Sequence, residues 1–125
     1  MNKDVKALWI AALRSGEYKQ GQGALRQEFV DTNESLYCCL GVLCDLYAKS
    51  VENSPAWTSD DDAPEHVRRY GGREAYPPYF VVEWAGLDDE GGSYARNDGG
   101  WNSLAELNDN GRTFEEIANV IEQKF

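Results

Sequence analysis

The segment from Leu36 to Tyr47 constrains the fold of this chain more than any other part of the sequence. It reads LYCCLGVLCDLY, and Asp45 is its one charged residue. A helix that is apolar around most of its circumference has to be enclosed by other elements. We therefore predict a helix here at the centre of the core, with the rest of the chain arranged to cover it.

Amphipathic helices near both ends of the chain are predicted to supply part of that cover. Apolar residues recur at helical spacing from about Lys3 to Ser15, and Gly16 is suited to end that helix. Ser103-Leu104-Ala105-Glu106 and Thr113-Phe114-Glu115-Glu116 both have the spacing of a capping box. These signals predict an opening helix and further helices towards the end of the chain.

The middle of the chain is predicted to contain short helices between surface loops. Asp62 is suited to cap a helix through Tyr70, and Tyr76-Pro77-Pro78 fits the first turn of another helix that Gly86 ends. The stretch from Glu52 to Asp62 is polar and acidic, and Leu87 to Gly100 is rich in glycine and acids. Both stretches are expected to be exposed loops, the second of them mobile.

One small β-hairpin completes the prediction. Phe29-Val30 and Leu36-Tyr37 are short apolar pairs on either side of the polar segment from Asp31 to Ser35. A chain of 125 residues with 42% hydrophobic content is suited to a single core. The predicted fold is therefore mainly α with a small β-hairpin (α+β), in a single compact domain of about five or six helices over residues 1–125.

The acidic balance of the chain restricts its partners. Asp and Glu number 22 against 12 Lys and Arg, for a formal net charge of -10. Such a surface repels a phosphate backbone, so direct nucleic-acid binding is not expected. The charge is interpreted first as an aid to solubility, with mimicry of DNA in a basic protein groove as the alternative.

Two further features bear on the compartment. No apolar run approaches the roughly 18 residues of a membrane span, and the N-terminal residues lack the apolar block of a signal peptide. Three cysteines, of which Cys38 and Cys39 are adjacent, are a poor basis for a disulfide framework. The protein is therefore expected in the cytoplasm, without a membrane partner.

Metal ligation and catalysis are not predicted. Cys38, Cys39, Cys44 and His66 could supply four zinc ligands, but adjacent helical cysteines point about 100° apart, so core packing is the preferred interpretation. The segment from Glu106 to Gly111 resembles half of a calcium loop, but its twelfth position would be Ile117 in place of an acid, and a helix–helix turn explains the segment without any ion. No cofactor motif and no catalytic residue are assigned.

The glycine-punctuated segment from Tyr18 to Arg26 is the predicted ligand site. Its two glycines allow close approach of the backbone, and its basic and amide side chains suit phosphate or carboxylate oxygens. Tyr18 and Trp57 could stack on a base, and a second basic cluster follows at Arg68, Arg69 and Arg73. A plain structural connection is the competing interpretation of the segment. The predicted contacts are Tyr18, Lys19, Gln20, Gln22, Arg26, Trp57, Arg68 and Arg69.

Three motifs together resemble a family of small tailed-bacteriophage accessory proteins of uncharacterised activity. They are YKQGxGxLR at Tyr18–Arg26, YCCLGVLCDL at Tyr37–Leu46, and LAELND at Leu104–Asp109 followed by Phe114-x-x-Ile117-Ala118. The similarity covers both ends of the chain more closely than residues 50–100. It implies a phage protein in the host cytoplasm and carries no activity onto these positions.

The expected function is binding without catalysis. In the leading hypothesis the protein counters host defence by sequestering a phosphate-bearing, nucleotide-derived small molecule. The alternative is an acidic inhibitor that binds a host defence protein through Asp60-Asp61-Asp62 and Asp88-Asp89-Glu90. A nucleotide hydrolase is a third hypothesis, and a homo-oligomer with ligand between subunits is compatible with the first.

Overall fold

A computed structural model describes residues 1–59 and 66–125 of the chain. Those ranges contain five α-helices and six short strands. In chain order they are α1 (Lys3–Arg14), β1 (Lys19–Gln20), β2 (Arg26–Phe29), β3 (Glu34–Tyr37), α2 (Cys39–Ser50), β4 (Val67–Arg68), α3 (Tyr79–Ala85), β5 (Ser93–Ala95), β6 (Trp101–Ser103), α4 (Leu104–Asp109) and α5 (Phe114–Lys124).

The apolar segment forms the central helix α2, as predicted, but the helix starts later than expected. All residues from Cys39 to Leu46 are buried, so the first two turns of α2 are enclosed on every side. Cys38 caps the helix by accepting the backbone N–H of Gly41 on its sulfur at 3.3 Å. Leu36 and Tyr37 belong to β3, because their backbone groups pair with neighbouring strands.

A four-stranded sheet lies beside α2 in the strand order β1-β3-β2-β4. The central β2–β3 pair is the predicted hairpin, although Val30 lies outside it. β1 pairs with β3 in parallel, and β4 pairs with β2 in antiparallel fashion. The outer strands β1 and β4 are only two residues long, Lys-Gln and Val-Arg. Two residues are too few to show an alternating pattern, so the sequence does not predict these strands.

The prediction of a mainly α fold with one hairpin is therefore wrong. The described chain is α+β, with a second sheet formed by β5 and β6 in addition to the first. That second sheet lies within and after the predicted mobile loop of residues 87–100, where Leu87 and Tyr94 are in fact buried. The strand β5 is not predicted from the sequence, because the segment of residues 87–100 is rich in glycines and acids, which are typical of turns.

The predicted helix from Asp62 to Tyr70 is also not observed where the chain is described. Val67 and Arg68 form β4, and Arg69 and Tyr70 make antiparallel bridges to Thr58 and Arg73. The first part of that predicted helix, and the triple aspartate at 60–62, lie outside the described residues. Backbone pairing with β2 and with Thr58 selects the extended conformation in this segment.

The terminal helices are observed as predicted and pack on each other. α1 ends at Arg14, and α5 begins with the capping box in which Thr113 and Glu116 bond reciprocally. Trp9 of α1 is fully buried, and its indole N–H donates to the carbonyl oxygen of Cys39 at 3.0 Å. α3 also forms and ends at Gly86 in the left-handed conformation, but it begins at Tyr79, so the two prolines precede the first turn and do not lie in it.

A close approach between two backbones places the predicted ligand segment against α2. A methyl group on Gly41 would overlap the carbonyl oxygen of Leu25, so only glycine fits at this position. The chain before β2 is thereby held over the start of α2. Among the described helices, none is long and apolar enough to cross a membrane.

Candidate functional site

Asp45 of α2 is a buried carboxylate with three donors from three parts of the chain. The hydroxyl of Tyr18 donates to Oδ2 at 2.6 Å, and the indole N–H of Trp57 donates to Oδ1 at 3.1 Å. Lys49, one helical turn later, places its ammonium 3.0 Å from Oδ2. Asp45 therefore joins the segment before β1 and the loop after α2 to the central helix.

The shifted pKa values of Asp45, Tyr18 and Lys49 all lie away from neutral pH, so these three groups keep their charge states there. Burial raises the pKa of Asp45, but the hydrogen bonds from Tyr18, Lys49 and Trp57 outweigh burial and the net pKa is lowered. Burial and the bond to Asp45 raise the pKa of Tyr18 to about 12. Bonds to Tyr18 and Asp45 raise the pKa of Lys49. A fixed ion pair of this kind suits binding or structure better than proton transfer.

Arg26 of β2 extends this arrangement across two aromatic rings. Its guanidinium carbon lies 5.3 Å from the centre of the Tyr37 ring and 5.4 Å from that of Trp57. Nη2 donates to the hydroxyl of Ser35 at 3.3 Å. Such cation–π contacts hold an arginine without neutralising it. The Asp45 cluster is defined as Tyr18, Arg26, Tyr37, Asp45, Lys49 and Trp57.

A shallow groove of about 380 Å³ opens beside the Asp45 cluster. Lys19 and Lys49 line it, but each is paired with a carboxylate there, Glu34 for Lys19 and Asp45 for Lys49. Glu17 adds a third carboxylate. The groove as a whole therefore carries more negative than positive charge. Its lining residues are Glu17, Tyr18, Lys19, Asn33, Glu34, Ser35, Tyr37, Asp45 and Lys49.

The two predicted basic clusters meet at a single carboxylate. Arg26 and Arg68 are directly opposite on β2 and β4, and both approach Oε2 of Glu28, at 3.9 and 3.1 Å. Arg69 lies further along and pairs with Glu74 at 2.6 Å. The structure thus brings Arg68 to Arg26 as a nucleotide site would require, but with Glu28 between them.

Gln20 and Gln22 do not join the Asp45 cluster, because their side chains bond to α4 and to the turn between α4 and α5. The amide of Gln20 donates to the carbonyl oxygen of Arg112 at 2.6 Å and accepts the backbone N–H of Phe114 at 3.1 Å. The amide of Gln22 donates to the carbonyl oxygen of Asn108 at 3.2 Å. This part of the predicted ligand segment acts as a structural connection in the folded chain.

The whole chain matches one family model. That family is described as a domain of unknown function, DUF8296, and the match covers residues 1–125. The chain belongs to DUF8296. Neither a curated protein nor a solved structure matches it. The description of the family assigns no activity, so the site has to be judged on its chemistry.

Three members of the Asp45 cluster in this DUF8296 protein were missed from the sequence: Asp45, Tyr37 and Lys49. A signal for Asp45 was present, since it is the one charged residue of the central apolar segment, and a buried charge needs partners. Lys49 follows four residues later, at the spacing of a helical ion pair. Tyr37 carried no such signal, because its neighbours are brought to it by strand pairing.

The three cysteines of the DUF8296 chain are packed in the core, as predicted. Burial raises the pKa of Cys38 to about 11 and raises those of Cys39 and Cys44 well above the ordinary value. His66 stacks on Phe29 with ring centres 5.2 Å apart. In residues 1–59 and 66–125 no group of three potential ligands is arranged to hold a metal ion.

A second surface of the DUF8296 protein combines an exposed aromatic ring with acids. Tyr79, at the start of α3, is 76% exposed. A groove of about 460 Å³ beside it is also lined by Glu83, Asp88 and Glu90. Arg73 pairs with Glu90 at 2.8 Å and is the one base in the lining. The Tyr79 face is defined as Tyr79, Glu83, Asp88 and Glu90.

Proposed function

We propose that this protein acts by binding a basic segment of a partner protein through the Tyr79 face, without catalysing a reaction. The observation that carries the proposal is the 76% exposure of Tyr79 beside a groove lined by three carboxylates. In the setting that the resemblance to phage proteins implies, the partner is a defence protein in the host cytoplasm, and binding inhibits it.

An exposed tyrosine is suited to anchor such an interface. Tyrosine buries a large ring at a low cost in side-chain entropy and is enriched among residues that dominate binding energy. Pro77, Val82 and Leu87 supply apolar lining in the same groove. A lysine or arginine of the partner would find both an aromatic face and carboxylates here.

The charge of the chain supports a basic partner over an acidic one. Most lysine and arginine side chains in the described ranges already contact carboxylates, including Lys19, Arg26 and Arg69. The remaining acids then dominate the field around the molecule, given the net charge of -10. Such an electrostatic field accelerates association with a basic surface, and added salt weakens this effect by screening the charges.

The test places a photo-crosslinking amino acid at position 79 and, in a matched control, at position 30. Val30 is 79% exposed at the hairpin and lies outside the Tyr79 face. We expect a host protein to be crosslinked in bacterial cells from position 79 only, and its binding to the purified protein to fall with added salt. Tyr79→Ala should lower that affinity about tenfold or more, the loss typical of an anchor residue.

Two results would reject this function. One is a set of crosslinked proteins that is the same from positions 79 and 30. The other is a partner whose affinity is unchanged by Tyr79→Ala and by charge reversal at Glu83 and Asp88.

The second candidate function is sequestration of an anionic, nucleotide-derived small molecule. It is supported by the convergence of Arg26 and Arg68 on one oxygen of Glu28. Guanidinium groups bind carboxylate and phosphate oxygens with the same geometry, so an anionic ligand could replace the Glu28 side chain. Tyr37 and Trp57 beside Arg26 offer rings for a base.

Native mass spectrometry of protein purified from cells with an active nucleotide-signalling defence tests this candidate. A bound small molecule should be released on denaturation and should be absent from an Arg26→Ala variant. Glu28→Gln should increase its retention, because it removes the competing carboxylate. Arg96→Ala is the control, since Arg96 pairs with Asp98 in a separate hairpin. A bare chain mass in every sample would exclude sequestration.

A further inference from the structure

The groove beside the Asp45 cluster contains a tyrosine hydroxyl without a partner. Tyr37 lines this groove and is 9% exposed, and its hydroxyl makes no hydrogen bond within residues 1–59 and 66–125. Burial raises the pKa of Tyr37, and the charge of Asp45, another residue of the lining, raises that pKa further. A polar group buried to this extent is normally hydrogen-bonded. The Tyr37 hydroxyl is therefore available to a molecule in the groove.

The two bases of the lining are already engaged. The hydroxyl of Tyr18 donates to Asp45 and accepts from the ammonium of Lys49 at 3.1 Å. Lys49 also pairs with Asp45, and Lys19 pairs with Glu34. An anionic ligand would therefore find no unpaired base in this groove.

The groups that remain free in the lining can all accept hydrogen bonds. Glu17 is exposed, and its carboxylate makes no ion pair with the described part of the chain. Asn33 is exposed between β2 and β3, and its side-chain amide makes no hydrogen bond to residues 1–59 and 66–125. A carboxylate, an amide oxygen and a phenol oxygen each accept from an N–H group. With three acids against two bases, the lining also favours a positive charge.

We propose that this groove binds a small aliphatic molecule through its primary ammonium group, with Glu17 and the hydroxyl of Tyr37 as acceptors. An ammonium carries three N–H donors and no acceptor, which matches the free groups of the lining. The volume of about 380 Å³ is at the lower end of the range for ligand sites, roughly 300–1,000 Å³, and suits a small molecule. The Tyr79 face has different lining residues and is not part of this site.

The test is a titration of the isotope-labelled full chain with putrescine at constant ionic strength, followed by NMR. We expect saturable shifts of the backbone amides in residues 17–19 and 33–37, and none with butanediol, which has hydroxyls in place of the ammonium groups. Tyr37→Phe should weaken binding about tenfold or more, the effect of one hydrogen bond to a charged group. The phenylalanine ring keeps the contacts with Tyr18 and Arg26, so the fold is retained.

Matched variants separate the groove from the rest of the acidic surface. Tyr76→Phe removes a hydroxyl outside the lining and should bind putrescine as the wild type does. Glu17→Gln removes the free charge and should weaken binding about threefold, as expected for an exposed ion pair. Glu52→Gln makes the same change at an exposed position outside the lining and should leave binding unchanged.

Several results would overturn the proposal. They are the absence of saturable shifts, equal shifts with butanediol, and putrescine binding that is unchanged in Tyr37→Phe, since net charge alone would then attract the amine. Inorganic phosphate that shifts the same amides in place of putrescine would assign the groove to an anion. Tighter binding of a lysine-containing peptide than of putrescine would assign it to a partner protein. None of these results bears on the Tyr79 face, because no variant of this test lies there.

Discussion

Asp45 shows how one residue can order several segments. The residue is 7% exposed, and its carboxylate accepts from Tyr18, Lys49 and Trp57. A buried carboxylate is tolerated only when such partners replace its water. Removing it would leave the hydroxyl of Tyr18 and the indole N–H of Trp57 without their acceptor in a partly buried site.

Asp45→Asn should therefore lower the free energy of unfolding by about 1.5–3 kcal/mol, the range for hydrogen bonds to a charged group. Because the pKa of Asp45 is lowered in the folded state, its contribution is present above the ordinary carboxylate pKa of about 4. That contribution is lost as the pH falls through the folded pKa. Urea denaturation of both proteins across this range measures the difference.

Glu52→Gln is the control for this experiment, because Glu52 is exposed and the change should be within about 0.5 kcal/mol. A stability difference between wild type and Asp45→Asn that stays constant into strong acid would contradict the assignment of the ionised carboxylate.

At the scale of elements, the start of α2 depends on a residue of α4. Asn108 is fully buried, and its side-chain oxygen Oδ1 accepts the backbone N–H of Cys39 at 3.1 Å and the side-chain amide of Gln20 at 3.0 Å. Its side-chain amide nitrogen donates to the backbone carbonyl oxygen of Gly21 at 2.8 Å. One side chain thus joins α2, α4 and the end of β1, and satisfies a backbone N–H in the first turn of α2.

Asn108→Leu should lower the free energy of unfolding by about 3 kcal/mol, because it keeps the volume but leaves two buried backbone groups unpaired. Amide hydrogen exchange at Cys39 should become faster than at later positions in α2. Asn110→Ala, at the exposed end of α4, is the matched control and should change stability little. Equal stability of Asn108→Leu and wild type would show that the network contributes nothing.

At the scale of the whole molecule, one core extends from α1 to α5 and contains all three cysteines. Each sulfur lies in a residue that is at most 7% exposed. A buried thiol reacts only when the surrounding structure opens, and here burial also raises the thiol pKa. Thiol reactivity therefore reports on opening of the core.

We expect the cysteines to react with a thiol reagent only at the rate of unfolding in the native protein and at once in guanidinium chloride. Ser50→Cys supplies an exposed thiol on α2 and should react immediately under native conditions. Rapid native labelling of Cys38, Cys39 or Cys44 would contradict a closed core. Absorbance of the released chromophore measures both rates.

Local signals were sufficient for part of the fold. α1, α3 and α5 could be predicted because their apolar spacing and caps lie within a few residues of each other, as in the Thr113 and Glu116 box. The central burial of α2 followed from composition alone. The outer strands β1 and β4 could not be predicted, because two-residue strands exist only through the partners they pair with.

The candidate site divides in the same way. Tyr18, Arg26 and Trp57 were predicted from their chemistry and do come together, whereas Gln20 and Gln22 face the turn between α4 and α5. The sequence by itself determined the acidic charge, the buried cysteines and the main helices, because these depend on composition and on neighbours along the chain. Only the tertiary structure decided that Arg26 and Arg68 share Glu28 and that Asp45 holds Tyr18 and Trp57, since those contacts join residues that are distant in sequence.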